Sequence, residues 1–332
     1  MLNFLFSSVI QPYAFSMFEI IPGNFLKRAT ISFAVFVLLW IVPQHASAQL
    51  SSANDPYFSD DYSYELGLSF AAMNCFTDLG GKKGNGHNFF SDINPGNSEF
   101  AGSIYLSASY RSFIAVRFEG TFGAVKASDN VLAKIKNESP YRYQRNLSFK
   151  SSIDEVTLLA EIHPLFFKRY HVGEKIPRIS PYFVGGIGIF SFNPTAKLAG
   201  KWIDLQPLST EGEGFPEYPD RKPYKLTQFN IPLGLGVKMN ISQNFNLSIE
   251  GVSRILFTDY LDDVSTNYID KEIFSNYFTG TTLSNALLLN NRKYEIDPTL
   301  TTSINEQRGN PSKKDSYFTI NLKLGYVFQL GL

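Results

Sequence analysis

The sequence is short of cysteine, of charge and of long apolar runs, and each shortage closes off a class of protein. Among 332 residues there is a single cysteine, Cys75. An internal disulfide framework is therefore excluded, and Cys75 reads as a small packed or loop thiol rather than a reactive nucleophile. Charged residues make up 18% of the chain, below the roughly 25% of ordinary soluble domains. The 30 basic and 30 acidic residues cancel to a formal net charge of zero. A nucleic-acid binder would carry a basic footprint, so no nucleic-acid partner is expected.

The longest apolar run, ISFAVFVLLWIV from Ile31 to Val42, has about 12 residues, whereas a membrane-crossing helix needs about 20. Lys27 and Arg28 precede it, and QHASAQ follows, where Ala46-Ser47-Ala48 supplies the small-residue pattern of a cleavage site. Residues 1–48 thus read as a secretory signal cut between Ala48 and Gln49, with the stretch ahead of Met17 an over-extended start. No cysteine follows the site to accept a lipid, and no later window is long enough for a spanning helix. The exported part, residues 49–332, reads as one domain.

What is abundant is aromatic residues, 30 Phe and 18 Tyr, and an alternation of period two, the mark of strands with two unlike faces. In YFTINLKLGYVFQLGL at the C-terminus, Phe318, Ile320, Leu322, Leu324, Tyr326 and Phe328 alternate with positions that include Thr319, Asn321 and Lys323. LTQFNIPLGLGVKM sets Phe229, Ile231, Leu233, Leu235 and Val237 against Gln228, Asn230 and Lys238. Phe245, Leu247 and Ile249 alternate with Asn246, Ser248 and Glu250, and Arg254 continues the polar side. SYELGLSFAA, GSIYLSASY, FIAVRFEGTF, the stretch Glu155–His163 and the glycine-rich PYFVGGIGIFSF complete a count of eight strands.

The connections alternate too. YRS, PLFFKRYHVGEKIPR and NISQN are the shorter links, and between them stand links of roughly 20 to 55 residues, the last from Thr258 to Asp315. Alternating turns and long loops, an even strand number and export together describe an outer-membrane barrel with periplasmic turns and extracellular loops. The soluble rival is a lipocalin-like barrel or sandwich, which points its apolar face inward. Three features favour the inverted arrangement: polar faces rich in Gly, Ser, Thr and Asn, long apolar faces, and an aromatic-bearing last strand on an exported chain. In lipid every backbone amide must be paired, and closing the sheet achieves this. The expectation is an all-β, antiparallel up-and-down transmembrane barrel, with the outer-membrane bilayer as its surroundings.

The signal segment, YELGLSFAAMNCFTDLGG, FTDYLDDVS at Phe257–Ser265, RGNPSKKDSY at Arg308–Tyr317 and the closing strand together resemble the outer-membrane β-barrel proteins of Bacteroidota, in particular the PorG-like group. The resemblance covers nearly all of the mature chain. It implies a part in the type IX secretion apparatus, with periplasmic or outer-membrane secretion components as partners, and engagement of the barrel-assembly machinery by the C-terminal strand. One departure is Thr77 before Asp78-Leu79, where the group's pattern leads one to expect glycine.

An eight-stranded barrel has an interior that side chains just fill. The inward candidates are Glu65, Arg117, Glu119, Glu155, Glu161, Lys238, Glu250, Arg254 and Lys323, four bases among five acids. A salt-bridged plug is the expected arrangement, because an unpaired buried charge is costly. Lys323 is expected to meet Glu65. No catalytic, cofactor-binding or metal-ligating set stands out. GGKKGNG (Gly80–Gly86) lacks phosphate-loop spacing, the histidines are scattered, and Asp259, Asp262 and Asp263 read as a solvated rim cluster, with a hard-cation site as the rival. A non-enzymatic structural or partner-binding barrel is the leading function. A small porin or adhesin and a rim-located outer-membrane enzyme are the alternatives.

Overall fold

The computed structural model describes residues 62–80, 95–168 apart from 136, 138 and 139, and 177–328. The expected signal segment, most of GGKKGNG and His87 and His171 lie outside the described residues.

Eight antiparallel strands close into a barrel: β1 (Tyr62–Phe76), β2 (Glu99–Tyr110), β3 (Ile114–Ser128), β4 (Ser148–Ile162), β5 (Ile179–Leu198), β7 (Thr227–Asn240), β8 (Phe245–Leu256) and β9 (Ser316–Phe328). Each pairs with the next, and β1 closes on β9 from Tyr64↔Phe328 to Phe76↔Ser316. A ninth strand, β6 (Lys201–Asp204), stands outside the ring. It forms a hairpin with the part of β5 that overshoots the barrel mouth, Thr195–Leu198.

Alternation dictates this shape because the two faces cannot share one environment. Leu68, Phe70, Phe118, Leu158, Phe183, Ile187, Phe229, Leu235, Ile249 and Ile320 all point outward and are 43–65% exposed. Their inward neighbours, Ser69, Glu119, Thr157, Glu250 and Asn321 among them, are buried. Rings bracket the belt. At the short-turn end Tyr64 stacks on Phe328 at 5.9 Å, and Tyr326 packs against Phe245 at 5.3 Å. At the other end Phe318 stacks on Phe76 at 5.1 Å.

Inward glycines make room for large partners. A Cβ at Gly67 would strike the Tyr105 ring, and one at Gly325 would strike the Glu65 carboxylate.

The long loops fold into a cap over one end of the barrel. It contains helices α1 (Pro140–Arg145), α2 (Phe274–Tyr277) and α3 (Gly280–Asn290). SNALLLNN (Ser284–Asn291), whose sequence suits either a short helix or an extra strand, runs through the end of α3 to Asn291 just past it, and Ala286, Leu289 and Asn290 are its buried residues. Thr77 accounts for the missing glycine: its hydroxyl accepts a hydrogen bond from the Leu79 amide at 3.3 Å. The left-handed residue of that turn falls at Gly80, with φ +70°. An apolar layer separates cap from charges, with Met73, Ile153, Phe190 and Phe192 from the strands meeting Leu261, Val264, Phe274 and Leu289 from the last loop.

Candidate functional site

Period-two alternation puts all nine predicted charged residues inside the barrel, and the strand register sorts them by height. Nearest the short turns, Lys238 on β7 lies 3.2 Å from Glu65 on β1 and 3.4 Å from Glu161 on β4. Arg117 on β3 holds the middle. Its guanidinium makes two parallel bonds to Glu250 on β8, at 2.9 and 3.0 Å, one to Glu161 at 2.5 Å, and contacts Glu119 at 2.9 Å. The planar fork suits this role, since it can serve several carboxylates at once. Higher up, Arg254 on β8 pairs with Glu155 on β4 at 3.0 Å.

Lys323 does not meet Glu65, contrary to expectation. Its ammonium sits 2.7 Å from Glu119 on β3, across the lumen, and 3.2 Å from Glu250 on the neighbouring strand β8. The closing register explains this: Glu65 lies opposite Val327 while Lys323 lies opposite Ser69, so the two charges occupy different layers.

Neutral donors complete the carboxylate shells, and the sequence reading did not single them out. Tyr105 donates to Glu65 at 2.6 Å, Tyr182 to Glu250 at 2.8 Å, Tyr317 to Glu155 at 2.9 Å and Asn230 to Glu155 at 2.7 Å. All four occupy inward parity positions, which is the signal that could have identified them. With five carboxylates tied to four cations, the lumen is packed and cross-linked from wall to wall.

A cavity of about 60 Å³ opens at the short-turn end, lined among others by Ser63, Ser109, His163, Ser180 and Lys238. His163 Nδ1 lies 3.2 Å from Ser180 Oγ, and its Nε2 lies 3.4 Å from Glu161. The residue types resemble a nucleophile-base-acid set. Glu161 is shared between this histidine, Arg117 and Lys238, so it is not a dedicated partner for the imidazole.

The cap is the second dense polar region. Arg145 on α1 makes a two-pronged pair with Asp129, at 2.7 and 2.8 Å, and also donates to the Asp78 and Arg308 carbonyls. Arg308 pairs with Glu211 at 2.8 Å and donates to the Asp263 carbonyl at 2.7 Å, tying together two long loops. Burial works against the charge on both guanidinium groups, but the adjacent carboxylates outweigh it, Asp129 for Arg145 and Glu211 for Arg308, and hold both above the ordinary arginine range.

The acidic cluster is not the solvated rim that its spacing suggests. Asp259, Asp262 and Asp263 are at most 3% exposed, because the last loop folds down onto the barrel mouth. Asp259 accepts from Ser265 at 2.7 Å, Asp263 from Thr210 and Tyr224 at 2.6 Å each, and Asp262 from the Val264 amide at 2.9 Å. Asp315 accepts from the Leu261 amide at 2.9 Å. Burial is the largest influence on each and pushes all four carboxyls upward, Asp259 to about 7 and Asp263 to about 6. Glu213 is driven to about 8 by burial and by the nearby charges of Asp263 and Glu211.

No protein-family model matches the chain, and no curated protein matches it. Among solved structures, the chain is similar to Neisserial surface protein A, with 8% identity over 81% of this chain and 98% of that one and a TM-score of 0.33. It is also similar to the attachment invasion locus protein Ail of Yersinia pestis, with 10% identity over 81% and 100% and a TM-score of 0.32. For the outer membrane protein OprG of Pseudomonas aeruginosa the identity is 8% over 81% and 96%, with a TM-score of 0.31. Identities and scores this low leave function to the chain's own geometry.

Proposed function

We propose that the chain is a non-enzymatic outer-membrane barrel, closed to solutes, which serves as a structural or partner-binding component of an envelope or protein-secretion assembly of the type IX kind. The observation that carries this reading is the inversion of the barrel, with an apolar belt outside and paired charges within. Each outward Leu, Ile or Phe left in water would forgo about 1.5–3 kcal/mol, and ten of them already form a continuous liability. Contact with lipid acyl chains removes it. Strands of 12 to 20 residues exceed the roughly 9–11 that a tilted strand needs to cross the hydrocarbon. The aromatic rings at both ends of the belt fit the two interfaces.

The cross-linked lumen supports a plug rather than a channel. A diffusing ion would have to part Arg117 from Glu161, Glu119 and Glu250 together. Function then belongs to the ends: short turns toward the periplasm, and a cap outside whose Trp202, Tyr277, Tyr294 and Ile304 are exposed. The secretion role rests on the family resemblance of the sequence segments alone.

Planar-bilayer recording of the purified protein tests the plug, and stable openings of porin size would overturn it. Membrane fractionation with unboiled gel migration tests the barrel in its membrane. A soluble periplasmic protein would refute that part. Deletion of the gene, followed by assay of exported proteins, tests the assembly role, and normal secretion with recovery only as a lone monomer would sink it.

A further inference from the structure

Among the described residues, the cap buries more carboxyls than it pairs with cations. Asp129 and Glu211 are ion-paired, to Arg145 and Arg308. Glu213, Asp259, Asp262, Asp263 and Asp315, each at most 4% exposed, have no ion pair among the described residues. Two carboxylate oxygens at the centre, Asp259 Oδ1 and Asp262 Oδ2, have no hydrogen-bond partner among the described residues, and neither does Glu213 Oε1. A fully ionised cluster of this kind is untenable in a dry site, since desolvation alone costs several kcal/mol per ion. Something must neutralise it. A proton is the neutralising species the geometry favours, since among the described residues no group of three Asp, Glu, His or Cys side chains is placed to hold a metal ion.

The position of the cluster gives protonation a mechanical meaning. Asp315 is the last residue before β9, and its carboxylate and amide bind the Leu261 amide and the Thr258 carbonyl, stitching the two stems of the last loop together. Asp78, just past β1, accepts from the Asn310 amide at 2.5 Å and so fixes the same loop to the first. Like charges on Asp78, Asp259, Asp262 and Asp315 would therefore push apart the segments that seal the mouth.

We propose that Asp78, Asp259, Asp262 and Asp315, with Glu213 beside them, form a proton-operated latch that holds the cap onto the barrel mouth in acid and loosens the 258–315 loop as the pH rises past neutrality.

The groups facing the latch come from every neighbouring element. β1 contributes Cys75, whose thiol lies in the field of Asp262 and Asp315, and the following turn contributes Asp78 itself. The third long loop contributes Glu211, which adds repulsion to both Asp78 and Asp259. α1 contributes Arg142 and Arg145, which act on Asp78, and the last loop contributes Lys314, which acts on Asp259, and Arg308, which acts on Asp263. The cations therefore relieve Asp78, Asp259 and Asp263. Among the described residues, Asp262 and Asp315 have no cation among their principal neighbours; other carboxyls face them, and only hydrogen bonds from Thr77 and Val264 to Asp262 and from Leu261 to Asp315 offer relief.

The sign follows from linkage. A carboxyl raised in the folded state holds its proton there while the opened state, at about 4, has lost it. The stabilisation is complete below about 4 and disappears as the pH climbs through the folded values, about 7 for Asp259 and about 8 for Glu213. The barrel, with its paired charges, should not respond over this range.

Hydrogen-deuterium exchange of the full-length protein in lipid vesicles tests the latch, read at the amides of 258–315 and corrected for intrinsic rates. Protection there is expected to fall at least about tenfold between about pH 5 and about pH 8.5, while β3 and β4 amides stay unchanged. In Asp259→Asn with Asp262→Asn, the pH dependence should flatten, with protection retained at the alkaline end. An unchanged protection profile in the wild-type protein would overturn the latch. So would protection at about pH 8.5 restored by calcium chloride and lost at about pH 5 with EDTA, because the neutralising species would then be a metal ion. The calcium and EDTA arms need no variant, so the proposal stands or falls even where the double substitution does not fold.

Discussion

The barrel lumen and the cap both bury carboxylates out of reach of water, yet they neutralise them in opposite ways. In the lumen each of five glutamates has a basic group at 2.5–3.4 Å, and the arrangement spans strands on opposite walls. In the cap five acids, Glu213, Asp259, Asp262, Asp263 and Asp315, have none among the described residues. The lumen is thus a fixed plug whose charges are permanent, and the cap is a lid whose charge state depends on its surroundings. The difference comes from the strand register, which offers cations from facing walls in the lumen, whereas the last loop packs Asp259, Asp262, Asp263 and Asp315 into one fold with two arginines already engaged.

The largest effect expected is on the scaffold that both regions share. A chain ending at Lys323 loses Leu324–Phe328, the segment that pairs with Tyr64–Leu68 on one side and with Phe245–Leu247 on the other. Closure then fails. The product should show neither membrane insertion nor a heat-modifiable gel band, and normal insertion would remove the case for β9 as the closing stave.

Next comes the centre of the plug. Arg117→Met leaves Glu119, Glu161 and Glu250 without their common cation, and should cost about 3–5 kcal/mol, the usual loss when one partner of a buried pair is removed. Urea unfolding in vesicles would show a lowered midpoint for the whole barrel. A shift under about 1 kcal/mol would mean that the lumen is wet enough to solvate the three carboxylates.

The smallest global effect belongs to the matching change in the cap. Arg308→Met removes the pair to Glu211 and the donor to the Asp263 carbonyl, at a local cost of about 3 kcal/mol. Amide exchange should quicken across 258–315 with the unfolding midpoint of the barrel little changed, since cap and barrel can open as separate units. Equal loss in both would show that the two regions form one cooperative body.

Much of the molecule was readable from particular residues. Phe318, Ile320 and Leu322 against Thr319, Asn321 and Lys323 fix an outward and an inward face, since a strand turns its side chains over at every step. The nine interior charges followed from the same parity, and so did the order of short and long links. What was not readable was pairing across the lumen and burial of the loops. Lys323 is expected beside Glu65 on β1, yet its partners are Glu119 on β3, across the lumen, and Glu250 on its other neighbour, β8. Asp259, Asp262 and Asp263 looked like a wet rim because a loop sequence carries no period to say what it will fold against.

The sequence by itself therefore determined the strands, their faces and the inverted sense of the barrel, because alternation is a local property of a few consecutive residues. Only the tertiary structure decided that Arg117 is the common cation for three glutamates and that the acids of the last loop are sealed in a cap. Those facts depend on the register at which β1 closes on β9 and on contacts between segments 50 to 200 residues apart, such as Glu211 with Thr266 and Glu119 with Lys323, which no local pattern encodes.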